Sequence, residues 1–126
     1  MPGQADLGDG RVLIAEWWQG ELPRWADIGG DEVFLDGEVP AWPLIIRSRR
    51  PGDRFQPLGL GGIKKVKEAL IEAKVPREER NAVPLVTDGQ DRLIWLAGIR
   101  LDHRFRVTAA TKRLIHLVLR ALPPAP

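Results

Sequence analysis

At 126 residues, 44% hydrophobic and 29% charged, the chain has the composition of one ordinary globular domain, not that of a fibre or a disordered tail. It has no cysteine, which excludes disulfide frameworks and thiolate metal sites and fits a reducing compartment, so a cytoplasmic location is expected. No run approaches the ~18 apolar residues of a membrane span, and residues 1–6 lack the basic and apolar regions of a signal peptide.

The net charge of +2 conceals an asymmetry. Residues 1–46 carry two basic side chains, Arg11 and Arg24, against nine acidic ones, while residues 47–126 carry seventeen basic against eight acidic. Such a division points to a polyanionic partner for the second part, or else to two complementary faces within one fold.

Residues 1–10 are polar and glycine-rich and read as a flexible leader, followed by one domain over 11–122 and a tail over 123–126. Residues 12–18 are a continuous apolar run ending in Trp17 and Trp18, of strand length and composition. Because alternate side chains point to opposite faces, only one of the two tryptophans enters a one-sided core. Residues 20–30, with Pro23, Trp25 and the pair Gly29 and Gly30, read as a loop, and residues 31–36 as a short strand. Pro40, Trp42 and Pro43 make a stiff connector to a strand opened by Leu44, Ile45 and Ile46.

Residues 47–67 concentrate the charge. Arg47, Arg49, Arg50, Arg54, Lys64, Lys65 and Lys67 stand against one acid, Asp53. Pro51 and Gly52 demand a chain reversal, since proline presets φ and glycine supplies the positive φ of a type II turn. Asp53, among four arginines, reads as an ion-pair partner that orients them, because neighbouring cations weaken a carboxylate as a base. From Ile63 to Ala73 the apolar positions 63, 66, 69, 70 and 73 predict an amphipathic helix, with Glu68 four residues from Lys64. Three lysines in its first turn would oppose the helix dipole. Gly61 and Gly62 leading into that helix, with lysines beside them, would suit a bound phosphate, and the plain alternative is a solvated basic face. The spacing is not that of a Walker loop, and no hydroxyl follows the lysine to hold magnesium.

Residues 77–80 read as a short polar turn, residues 84–87 and 93–97 as a β-hairpin, Gly98 as a bulge or bend, and residues 102–105 as a capped turn. Residues 111–119 alternate and predict a two-sided strand. No catalytic centre is legible. Ser48 is the only serine and has no base placed beside it, and His103 and His116 lack a third ligand at metal spacing.

Several ordered stretches carry a family resemblance: residues 47–59, beginning Arg-Ser-Arg-Arg-Pro-Gly-Asp-Arg-Phe; residues 62–67, Gly-Ile-Lys-Lys-Val-Lys; residues 74–77, Lys-Val-Pro-Arg; residues 83–86; and residues 95–102, Trp-Leu-Ala-Gly-Ile-Arg-Leu-Asp. Together they resemble the C-terminal domain of bacterial tRNA(Ile)-lysidine synthetases over residues 44–119, with only a coarse strand pattern shared before Leu44. The resemblance implies an α+β fold of layered, mostly antiparallel, β-sandwich-like sheets with one main helix, similar to a module of the phenylalanyl-tRNA synthetase beta subunit. It implies a role in holding tRNA(Ile) by the acceptor stem while a separate N-terminal catalytic domain uses ATP, Mg2+ and lysine to modify the anticodon cytidine. The ATP pyrophosphatase loop of that catalytic domain has no counterpart in these residues, so the chain is expected to hold no cofactor and to catalyse nothing by itself. The expected RNA-binding residues are Arg47, Arg49, Arg50, Arg54, Lys64, Lys65 and Lys67, supported by Asp53, Gly61 and Gly62 and edged by Arg77, Arg100, Arg104 and Arg106. Two other readings compete: a basic structural or protein-interaction module docking on an acidic surface, and phosphate-directed hydrolysis at the glycine loop. The oligomeric state is left open, a homodimer included.

Overall fold

The strand Leu114–Ala121 (β10) organises the first layer of the computed structural model, which describes residues 3–24 and 28–122. One edge of β10 pairs antiparallel with Arg11–Trp18 (β2) from Leu114↔Trp18 to Ala121↔Arg11, and the other pairs with Glu32–Asp36 (β3). A strand paired on both sides alternates faces, so Ile115, Leu117 and Leu119 share one face with Leu13, Ala15, Trp17, Val33 and Leu35. Trp17 packs on the core from this face, while Trp18 lies on the other and donates through Nε1 to Glu21 O.

The described part of the expected loose leader, residues 3–10, is ordered into a strand and its return. Gly3–Asp6 (β1) pairs antiparallel with β2, giving the order β1-β2-β10-β3. Gly8 and Gly10, both at positive φ, make the tight return between the two strands, which composition alone read as slack. Trp25 and the expected tail at 123–126 lie outside the described residues.

The second sheet is also antiparallel, in the order Ile45–Arg47 (β4), Leu85–Thr87 (β7), Leu93–Leu96 (β8), Arg100–Leu101 (β9). Between β7 and β8 the partners step from Val86↔Trp95 to Thr87↔Leu93, which leaves Ile94 as the extra residue of a bulge. The register puts Ile46, Val86, Trp95 and Leu101 on the face that meets Leu13, Leu35, Ile115 and Leu117 of the first sheet. The opposite face presents Leu85, Leu93 and Leu96 to a third layer.

That third layer is the helix Val66–Glu72 (α1) and the two-stranded ribbon of Arg54–Phe55 (β5) and Lys64–Lys65 (β6). Seven residues are too few for a helix that holds itself in water. Val66, Ala69 and Leu70 supply one apolar face, and with Phe55 they bury against Leu85, Leu93 and Leu96. Each fully buried valine, leucine or phenylalanine among them contributes roughly 1.5–3 kcal/mol. The helix is shorter than the expected 63–73. Lys64 and Lys65 stay extended because their backbones pair with β5, so only Lys67 stands in the first turn, and Lys64 pairs with Glu72 instead of Glu68.

Candidate nucleic-acid interface

Asp53 is where the basic segment acquires its shape. The chain reverses over Pro51 and Gly52, with Asp53 N–H donating to Arg50 O at 3.1 Å and Gly52 at φ +84 as the turn requires. The Asp53 carboxylate accepts two bonds from Arg47, at 2.8 and 2.9 Å, and one from the Arg50 N–H at 2.6 Å. Its carbonyl accepts from Val66 N at 2.9 Å, so one residue ties the turn, a strand end and the start of α1 together. Burial pulls the Asp53 carboxyl upward, but the hydrogen bonds and positive field of Arg47 and Arg50 outweigh it and hold the group below its ordinary value.

Beyond the turn the ribbon sets charge against charge. Arg54 stands directly opposite Lys65, while the alternate pair, Phe55 and Lys64, faces the other way. Like charges directly opposite in a ladder are destabilising. Between this ribbon face, the turn, the start of α1 and the 3-10 turn Arg77–Ala82 lies an open groove of about 600 Å³. Its lining includes seven cations, Arg49, Arg50, Arg54, Lys65, Lys67, Arg77 and Arg80, and one acid, Asp53, already neutralised by Arg47. Among the described residues the side chains of Arg54, Lys65, Lys67 and Arg77 make no hydrogen bond or ion pair. Arg49 Nε donates to Asn81 Oδ1 at 2.8 Å and Arg80 Nε to Val75 O at 3.0 Å, which fixes both side chains at the groove wall.

Not every expected residue lines this groove. Arg47 is only 11% exposed and its guanidinium is engaged by Asp53 and, more loosely, Asp91. Lys64 points to the far side of the ribbon and meets Glu72. Arg100 bonds Leu58 O, Arg104 the buried Asp102, and Arg106 the carbonyl of His103. Gly61 and Gly62 do not open the helix. Ile63 and the β6 pair intervene, and the first helical N–H is taken by Asp53 O, so the glycines form no phosphate cradle there. Arg80 and Asn81 went unmarked by sequence, although the three-residue spacing of Arg77 and Arg80 is the repeat of a 3-10 turn, which stacks them on one side.

Other sites offer less chemistry. A slot of about 150 Å³ between the sheets, lined by Gly3, Gln4, Leu13, Leu44 and Ile46 among others, has no ionisable side chain. Ser48 is exposed and its carbonyl is held by Arg47. His116 is buried on the outer face of the first sheet, stacked on Phe34, with Glu16 at 3.6 Å and Glu32 at 3.7 Å on opposite ring nitrogens. Among the described residues no group of three His, Cys, Asp or Glu is placed to hold a metal ion, and no helix is long and apolar enough to cross a membrane.

Comparison with known proteins converges on one family. A family model described as the TilS substrate C-terminal domain matches residues 44–118. A tRNA(Ile)-lysidine synthase of Symbiobacterium thermophilum is 41% identical over 123 residues, covering 98% of this chain and 25% of that protein. One from Geobacter sulfurreducens is 41% identical over 113 residues, covering 90% and 24%. The chain thus spans about a quarter of the length of these relatives, and likeness extends into the segment before Leu44, further than motifs indicated. A crystal structure of a TilS C-terminal domain superimposes with a TM-score of 0.83 at 33% identity, covering 98% of this chain and 93% of that one. An N-terminal fragment of the Pyrococcus horikoshii phenylalanyl-tRNA synthetase beta subunit covers 70% of this chain and 27% of that chain, at a TM-score of 0.61 and 19% identity, and shares the fold alone.

Proposed function

The chain belongs to the family of TilS substrate C-terminal domains, and from that premise we propose that it holds tRNA(Ile) for a lysidine-forming enzyme by binding phosphates in the groove between β5–β6 and the Arg77–Ala82 turn. The observation that carries this reading is the pair Arg54 and Lys65, directly opposed, with side chains unpartnered among the described residues and aimed into a groove with five further cations. A fold tolerates such repulsion where an anion relieves it in use. Phosphates fit better than base edges, since the deep major groove of A-form RNA keeps side chains from its bases and leaves backbone and shape to be read.

The proposal extends to the acceptor stem as the segment held and to an N-terminal catalytic domain that binds ATP, Mg2+ and lysine. In this division of labour the present residues position the substrate and carry no catalytic group. What favours RNA over docking on the acidic half of the same chain is that Asp9 is engaged by Arg11, Glu16 and Glu32 flank His116, and none of these three acids lines the groove. The test is a titration of tRNA(Ile) bearing the CAU anticodon against a tRNA with an altered acceptor stem, across salt. With about four phosphates neutralised, the log–log slope is expected near −3. Salt-independent binding sinks the groove, and equal affinity for the two tRNAs sinks the acceptor-stem assignment. Light scattering at the titration concentration decides whether one copy or a homodimer binds.

A further inference from the structure

The β5–β6 ribbon is a partition with two different sides. Arg54 and Lys65 face the cationic groove, and Phe55 and Lys64 face a second depression of about 280 Å³ between the ribbon tip and α1. The second side carries fewer charges than the first: Leu60, Ile99, Ala69 and Ala73 line it beside the Lys64–Glu72 pair and Arg100. Lys64 is neutralised there by Glu72, so Arg100, bonded only to a carbonyl, is the one cation of this lining without an acidic partner among the described residues, far fewer than the groove presents to phosphates. The loop that joins β5 to β6 carries Leu60 and Ile63, 50% and 68% exposed, and Leu60 lines the second depression. Arg100 fixes the tip by donating from Nε and Nη2 to Leu58 O at 3.1 and 2.6 Å. Those in-plane bonds hold the guanidinium plane while the side chain remains exposed.

Resting on the groove reading above, we propose that this cleft seats an unpaired nucleobase of the same RNA whose phosphates lie in the groove. The faces of the bases are the apolar surface a nucleic acid offers. Pairing and stacking hide them inside a helix, so a cleft with aliphatic walls and one arginine, one residue away from a phosphate groove, fits a nucleotide just beyond a helix end. Arginine guanidinium planes stack on such splayed bases, and aliphatic walls exclude water from them. The backbone crosses the ribbon at Lys65, and the base drops behind Leu60 against Arg100.

The experiment uses the 126-residue chain and two fluorescent RNA hairpins of equal charge. One has a short single-stranded overhang with bases and the other the same overhang made abasic. The base-bearing RNA is expected to bind about tenfold tighter, the range of one stacked base. Leu60→Ser, at a half-exposed position, and Arg100→Ala are expected to remove that preference, while Lys65→Ala weakens both RNAs alike. Equal affinity of the unaltered chain for the two RNAs overturns the proposal, as does a preference that survives Leu60→Ser. If neither hairpin binds, the groove reading falls together with this one. If both bind equally and still require Lys65, only the nucleobase seat falls and the cleft is left to a protein surface.

Discussion

Arg47 and Asp53 meet through two parallel hydrogen bonds, Nη1 to Oδ2 at 2.8 Å and Nη2 to Oδ1 at 2.9 Å, across the reversal that begins the basic segment. Both side chains are nearly nine-tenths buried, 11% and 13% exposed. Arg47 therefore acts on the groove through the turn it holds, without facing into it.

Asp53→Asn is accordingly expected to cost about 2–3 kcal/mol at neutral pH, the worth of charged hydrogen bonds at a largely buried site. The Asp53 carboxyl lies below its ordinary 3.8 in the folded chain. A depressed carboxylate stabilises fully above its unfolded pKa, and that stabilisation is lost as pH falls through the folded value. The stability gap between Asp53→Asn and the unaltered chain in urea melts should thus be constant above about pH 5 and shrink below about pH 4. A gap that stays unchanged into acid would show that the carboxylate charge contributes nothing.

For Lys65→Thr, stability and binding should move in opposite directions. Removing one of two like charges directly opposite in a ladder, and placing a β-branched residue there, should stabilise the fold by about 0.2–1 kcal/mol. The same change removes a groove cation and should lower the salt slope of RNA binding by about 1. A lowered melting temperature with unchanged RNA affinity would mean that Lys65 serves the ribbon, not the ligand.

The end of α1 gives a prediction independent of RNA. Lys74 sits at φ 59, and the following Val75 N–H reaches back to Leu70 O at 3.1 Å, the arrangement in which glycine normally follows a helix. Lys74→Gly should relieve the left-handed strain and raise stability by about 0.5–1 kcal/mol by thermal melting. Lys74 lies outside the basic groove, so RNA affinity should not change.

These contrasts mark how far the sequence could be read. The two-period alternation of 111–119, the hairpin around Asp88 and Gly89, and the reversal at Pro51 and Gly52 were legible because each is fixed by neighbours in sequence. The helix start was not, since the decision between helix and strand at Lys64 and Lys65 lies in pairing with Phe55 and Arg54, nine and eleven residues away. Charge alone also could not separate arginines that meet solvent from those consumed internally. Arg47, Arg92 and Arg104 look like Arg49 and Arg54 in sequence, yet the first three are spent on Asp53, Asp88 and Asp102. Asp88 and Asp102 are fully buried, and their burial arises from strands that meet only in three dimensions.

Arg80 and Arg104 put that distinction to measurement, because a count of positive charges predicts the same loss for both. Arg80 lines the groove beside Arg77, with its Nε held by Val75 O. Arg104 spends Nε and Nη2 on Asp102, whose remaining bonds come from Gln56 N and Arg104 N. Arg80→Ala should leave the fold within about 0.5 kcal/mol and lower the RNA salt slope by about 1. Arg104→Ala strips a buried carboxylate of its counter-charge and should cost about 2–3 kcal/mol, discounted for the third of Arg104 that is exposed. Its salt slope, measured at a temperature where the chain stays folded, should match the unaltered chain. Equal slopes for the two variants would mean that RNA responds to overall charge and that the groove does not localise it.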